Sequence, residues 1–160
     1  MRMSLALALL AVLLAGLAWI RLAPADPARW HVDPLTVATP VRVGHALLRP
    51  AGGDAAAPVW DITSDALLAA FDRVARAQPR VSVLAGSVDE GQITYVVRSR
   101  IIGFPDYVSV RALPAGHGGS TLAIFARQRF GRDDLGVNRT RTAAWLAALP
   151  PGAVTSSGGG

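Results

Sequence analysis

The chain contains neither cysteine nor lysine. Without cysteine there are no disulfides, no thiolate catalysis and no sulfur-ligated metals. Without lysine there is no Schiff-base chemistry on a lysine amine. All sixteen basic positions are therefore arginine, whose planar fork favours bidentate contact with carboxylate or phosphate. Glutamate is nearly absent as well, since Glu90 stands alone among eleven acids. The three histidines, His31, His45 and His117, are far apart in sequence and make no compact zinc motif. No P-loop, no G-x-G-x-x-G after a strand, no H-E-x-x-H and no G-x-S-x-G occurs. The adjacent carboxylates Asp133 and Asp134 would diverge in regular structure. No catalytic constellation, metal set or cofactor motif emerges, and the sequence favours a non-enzymatic protein.

What the chain does have begins at its N-terminus. Ser4 to Ile20 carries no charge, with Arg2 before it and Arg21 after. That length is at the lower limit for a spanning helix, and a snorkelling Arg21 would let Leu22 and Ala23 extend it. Trp19 suits the interfacial belt. The rival is a cleaved signal peptide, with Ala23-Pro24-Ala25 as its site. The run is long for a signal peptide, and Arg21 and Pro24 sit badly beside the cut. The expectation is an anchor at 1–23, single-pass in the inner membrane, with the rest of the chain on the periplasmic side. Secretion to the periplasm after cleavage is the alternative.

Residues 24–40 hold four prolines and read as an extended linker. Within it, Trp30 and His31 either close over the domain or lie at the membrane surface. Residues 41–150 read as an α+β domain, and 151–160 as a disordered Gly/Ser tail. The order is a strand within 41–48, a short strand at 59–62, then a helix with Ser64 as N-cap. Leu67, Leu68, Phe71, Val74 and Ala75 form that helix's apolar face. Four strands follow, at 81–86, 92–102, 107–113 and 120–130, separated by turns at Asp89-Glu90-Gly91, Gly103-Phe104-Pro105-Asp106 and a Gly-rich loop holding His117. A last helix begins at Asn138 as N-cap, with Thr142, Trp145, Leu146 and Leu149 as its stripe. The fold class expected is a single compact α+β domain: an antiparallel meander sheet with two helices packed on one face, after an N-terminal transmembrane helix.

Charge divides unevenly. From Asp26 to Glu90 there are 6 arginines against 8 acids, and from Gly91 to Arg141 there are 8 against 3. Period-two alternation puts Arg98, Arg100, Arg111, Arg127 and Arg129 on the outer face of the sheet, with Tyr107 and Phe125. That face is either a solvated surface or a basic one that engages anionic lipid, an envelope polymer or a protein partner. Nucleic acid is not expected.

The densest polar stretch runs from Arg127 to Arg141. Within it, Arg129, Asp134, Asn138, Arg139 and Arg141 are candidates for an anion site at a helix N-terminus. Arginines in a first helical turn oppose the macrodipole unless an anion or Asp134 offsets them. A purely structural role, with Asp134 locking the junction, is the other reading. A small-ligand or enzymatic site at Asp134, Asn138 and Arg139 is the functional alternative to the basic face.

Two segments carry a resemblance: Gly103-Phe104-Pro105-Asp106, and Arg129-Phe130-Gly131 followed by Asp134-Leu135-Gly136-Val137-Asn138-Arg139-Thr140-Arg141. In these the chain resembles the family catalogued as domain of unknown function 1499, found in bacteria and plastids. The resemblance implies an export signal or anchor, which members often carry, and no established activity. Two departures matter. Ala126 and Gln128 stand where the family commonly has serines beside the arginine. The Cys-Pro-x-x-Pro-x-Cys stretch of many members is missing.

Overall fold

The computed structural model describes residues 2–40, 43–131 and 133–151. The tail from 152 onward lies outside the described residues. The chain opens with helix α1 (Arg2–Leu22) and a single helical turn, α2 (Pro27–Trp30). Strands β1 (His45–Leu48) and β2 (Val59–Trp60) lead to helix α3 (Ser64–Arg76). Then come β3 (Val81–Ser87), β4 (Gln92–Arg98), β5 (Pro105–Pro114), a short turn of 3-10 helix at Gly116–Gly118, and β6 (Ser120–Gln128). Helix α4 (Val137–Ala147) closes the domain. This is the α+β architecture expected from the alternation.

All strand pairs are antiparallel, in the order β1-β6-β5-β4-β3, with β2 also paired to β6. Helices α3 and α4 cover one face. Leu67, Leu68, Phe71 and Trp145 pack there against Tyr95, Val108, Val110, Leu122 and Ile124. Phe71, Tyr95 and Trp145 meet with centroids 5.8–6.2 Å apart, within the range of favourable aromatic pairs. Thr63, one residue earlier than expected, caps α3 by accepting from the Ala66 N–H at 3.3 Å. Asp72 pairs with Arg76 at 2.8 Å along the same helix.

Strands β4 and β6 end sooner than alternation alone implies, whereas β5 begins two residues earlier, so Pro105 and Asp106 are strand and not turn. Ser99 Oγ accepts from the backbone N–H of Gly103 (3.0 Å) and Phe104 (2.9 Å), which curls the chain out of the sheet after Arg98. Residues 99–102 are therefore a turn, not strand.

The Pro-rich segment does more than connect. Asp26 caps α2 by accepting from Ala28 N–H at 2.9 Å, with Pro27 in the first helical position, where a missing N–H costs nothing. The turn delivers Trp30 onto the second face of the sheet. Its ring stacks on Tyr107 with centroids 4.0 Å apart and planes 8° from parallel. Beside it a hydrogen-bond relay runs into the sheet. Gln92 Nε2 donates to His31 Nε2 (3.5 Å) and His31 Nδ1 to Thr94 Oγ1 (2.8 Å). Thr94 then donates to Ser109 Oγ (2.9 Å), and Ser109 to the Trp30 carbonyl (3.4 Å). The Thr94 donation sets the His31 tautomer, with its proton on Nδ1. Asp33 pairs with Arg111. A Cβ at Gly86 (φ 84°) would collide with the Gln92 carbonyl and the His31 ring.

Arg49 fastens the rest of this strap. Its Nη1 donates to the carbonyls of Leu35 (3.0 Å) and Val37 (2.8 Å). Its Nη2 reaches Thr39 Oγ1 (3.0 Å) and the Gly52 carbonyl (2.7 Å).

Since Trp30 is almost fully buried against Tyr107, Trp30→Ala should cost about 3 kcal/mol. Urea unfolding of the full chain in mild detergent measures it. A loss under about 1 kcal/mol would place Trp30 among surface substitutions and show that the strap rests loosely on the sheet.

Candidate functional site

The junction between β6 and α4 is built on two consecutive left-handed residues, Leu135 (φ 52°) and Gly136 (φ 79°). They turn the backbone back over Asp134. One Asp134 oxygen accepts from Gly136 N–H at 3.0 Å, and the other from Asn138 N–H and Asn138 Nδ2, both at 2.8 Å. Gly136 is the N-cap, and Asp134 supplies the capping carboxylate; Asn138 was the expected cap and is not. Asn138 is fully buried instead, and its Oδ1 accepts from Arg141 Nη1 at 2.8 Å. Arg141 Nη2 then donates to Asp106 at 2.9 Å. The chain Asp134–Asn138–Arg141–Asp106 thus ties α4 to the start of β5.

Partial burial pushes the Asp134 carboxyl up, but the N–H groups of Asn138 and Gly136 outweigh it, and its pKa falls below the ordinary carboxylate value. Burial raises Asp106, and Arg141 only partly offsets that.

The five residues expected to form an anion site do not converge. Asp134, Asn138 and Arg141 join the chain just described. Arg139 is exposed and lines a recess with Asp134, beside His45, Asp54 and Asp133. Arg129 faces the strap, donating to the Pro24 carbonyl at 2.9 Å and to Tyr107 Oη at 3.2 Å. The α4 N-terminus already holds an anion, and it is Asp134.

The basic sheet face also differs from an open surface. Arg98, Arg111 and Arg127 do share it, because Val96, Tyr107 and Arg127 are successive register neighbours, as are Gln92 and Arg111. Arg100 does not, because it lies in the Ser99 turn and lines a recess with Asp106 and Arg141. Arg98 donates to the Gly103 carbonyl at 3.1 Å, and Arg111 is paired with Asp33. Arg127 lies under the strap. Its Nη2 donates to the Trp30 carbonyl at 2.8 Å, and its guanidinium sits 5.2 Å from the Trp30 ring and 4.4 Å from Phe125.

One part of this face stays accessible. A recess of about 170 Å³ opens between the start of β1 and the end of β6. Its wall carries His45, Phe125, Arg127, Gln128 and Arg129, closed by Pro40, Val43, Gly44 and Gly131, and among the described residues no carboxylate lines it. Arg127 Nη1 is buried and has no hydrogen-bond acceptor. Burial holds the Arg127 pKa down at about 10, so the group is still charged at neutral pH. His45 lies 3.7 Å from Asp54. Alternation in the sequence found Arg127; it could not find His45 and Gly44, which reach the recess only through the pairing of β1 with β6.

The two motif segments meet at this end of the sheet. Phe104 and Phe130 have ring centroids 6.0 Å apart, and Arg129 lies 5.0 Å over the Phe130 ring. The family model for proteins of unknown function (DUF1499) matches residues 31–149. The chain belongs to the DUF1499 family. It matches no curated protein. The DUF1499 match starts at His31, so the strap's relay residue and Asp33 fall inside it, whereas α1 falls outside.

Asp134 gives a pH test. A depressed folded-state pKa adds stability that is fully present above the unfolded carboxyl value of about 3.9 and is lost as pH falls through the folded value. Asp134→Ala should cost about 1–2 kcal/mol at neutral pH, as for a lost cap. Its gap from wild type should then close below about pH 4. Asp106, raised chiefly by burial, trends the other way in both proteins and cancels only in part, because the Asp134 charge adds to that rise. A gap unchanged down to acid unfolding would rule out the carboxylate charge as the capping force.

Proposed function

We propose that this DUF1499 protein is a membrane-tethered, non-enzymatic binding protein of the cell envelope, whose domain holds an anionic group in the Arg127–Arg129 recess. The observation that carries this reading is Arg127: a cation under the strap, on a recess wall that among the described residues holds no carboxylate and offers one of its nitrogens no acceptor. A buried charge without a counter-charge is costly, and a ligand anion supplies one. At an effective dielectric of 20, a monoanion about 5 Å away gains about 3 kcal/mol before its own desolvation. Two guanidiniums beside an imidazole suit a phosphate or a carboxylate. Such groups are carried by anionic lipid, by envelope polymers and by acidic protein segments. The broad basic face is narrowed in this reading to the part the strap leaves open.

The tether is α1. Met3–Leu22 is the one stretch among the described residues long and apolar enough to cross a membrane. An uncleaved helix is favoured over secretion. Arg21 donates to the carbonyls of Ile102 and Ile101, each at 3.0 Å, and Ala23 is buried, where a peptidase needs extended, accessible chain. In this reading the helix spans the inner membrane once and the domain lies on the periplasmic side. The alternative, a ligand or enzymatic site at Asp134, Asn138 and Arg139, has less support: Arg139 and Asp134 line one recess, but both Asp134 oxygens are taken by α4 and Asn138 is buried behind them.

Thermal melting of the full chain in mild detergent tests the recess. Sodium phosphate should raise the melting temperature above that in chloride at equal ionic strength, by mass action on the folded state. Arg127→Met should lose the difference while still melting cooperatively. Equal responses to phosphate and chloride in the wild type would sink the phosphate version of the proposal.

A further inference from the structure

Outside α1, the exposed large apolar side chains among the described residues are Val43, Ile101, Leu135 and Val137. All four lie at one end of the sheet. Val43 precedes β1, Ile101 lies between β4 and β5, and Leu135 and Val137 follow β6. Antiparallel pairing brings those connections together, because His45 pairs with Arg127 and Arg98 with Pro105. The opposite end carries the β3–β4 turn with Asp89 and Glu90. An apolar cluster confined to one end calls for a specific covering partner.

The end of α1 identifies that partner. Arg21, in the last turn of the helix, holds the backbone of Ile101 and Ile102 in the β4–β5 turn. A Cβ at Gly103 (φ 82°) would crowd the Arg21 side chain, so the turn is shaped to this contact. Two residues past the helix, the Pro24 carbonyl is held by Arg129. The twenty residues of Met3–Leu22, apolar apart from Ser4 and Arg21, rise about 30 Å, matching the hydrocarbon core, which puts Arg21 at its boundary. The headgroup layer beyond is about 5–8 Å deep on each side. A side chain gripped through its own carbonyl by Arg21 falls within that layer. Ile101 is 83% exposed, and Arg98 and Arg100 flank the turn with positive charge, which complements anionic headgroups.

We propose that the β4–β5 turn is a second membrane contact: Ile101 inserts into the headgroup layer of the bilayer that α1 crosses, with Arg100 against lipid phosphate. This rests on the tethering proposed above. The contact sets the domain's posture, with the strap and the recess beside the bilayer surface and the Asp89–Glu90 turn pointing away.

The cysteine-free sequence makes the test direct. Single variants Ile101→Cys, Asp89→Cys and Val12→Cys of the full chain carry an environment-sensitive fluorophore in phosphatidylethanolamine–phosphatidylglycerol vesicles. Ile101 and Asp89 are both exposed in the fold, so neither substitution disturbs packing. The expected result is a Val12 label in lipid and an Ile101 label quenched several-fold more by a lipid-dissolved quencher than the Asp89 label. A Val12 label in lipid with Ile101 and Asp89 labels equally open to aqueous quencher overturns the second contact and leaves the tether standing. A Val12 label open to aqueous quencher overturns the tether, and the contact with it.

Discussion

A four-strand meander extended at β6 by β1 and β2 has two faces, and this chain supplies helices for only one of them. The other is closed by a segment that arrives from the N-terminal side with a single indole ring. Trp30 on Tyr107 is the contact on which that closure depends. The ring also decides where Arg127 can be. Its guanidinium is held between the faces of Trp30 and Phe125, an arrangement that favours a cation without neutralising it. Below the ring, four polar side chains pass a hydrogen bond from Gln92 to the Trp30 carbonyl, so the buried hydroxyls of Thr94 and Ser109 are satisfied. Remove the strap and the sheet loses its second core, its polar relay and the partner of Arg111.

The exclusive use of arginine fits what these side chains do. Most of the arginines that fix the fold grip backbone carbonyls. Arg49 spans four carbonyls and a threonine hydroxyl on two loops, Arg21 takes two adjacent carbonyls, and Arg80, Arg98 and Arg129 each take one. A flat fork with five donors can bridge chain segments several ångströms apart, which a lysine ammonium cannot. Carboxylate pairing is the minority use among the described residues, at Arg76, Arg111 and Arg141. An excess of arginine over acid is thus not by itself a sign of an open basic surface. Arg127 stands apart because it has one carbonyl, two rings and an unused nitrogen.

Local pattern was legible in the sequence, and distant coverage was not. Alternation along 92–98 and 120–128 gave the meander, the inward faces and the shared side of Arg98, Arg111 and Arg127. Helical spacing gave α3 and α4. The strap has no periodicity, and its residues 30–33 meet partners 60 to 97 residues away in sequence, so nothing local announces that Trp30 covers Tyr107. The end of β4 depends on a single Ser99 hydroxyl, which overrode a pattern that alternates on to Ile102. The α4 cap depends on Leu135 adopting a left-handed conformation uncommon for a side chain of its kind. A rule that looks for Asn before a helix selects Asn138, whereas the backbone reversal lets Asp134 reach across. The macrodipole argument did name Asp134 as the residue that could answer it.

The Arg129-Phe130-Gly131 segment then takes on two tasks that cannot be separated. Its ring meets Phe104, which joins the end of β6 to the turn that Arg21 grips. Its guanidinium holds the Pro24 carbonyl and the Tyr107 hydroxyl while forming part of the recess wall. Any shift of the strap where it leaves α1 must move Arg129, and with it one of the two cations facing the recess. An anion drawn to those cations acts on the same guanidinium that seats the strap. The recess wall and the chain leaving α1 thus share one side chain, whereas Asp134, Asn138 and Arg141, a few residues on, hold α4 in place.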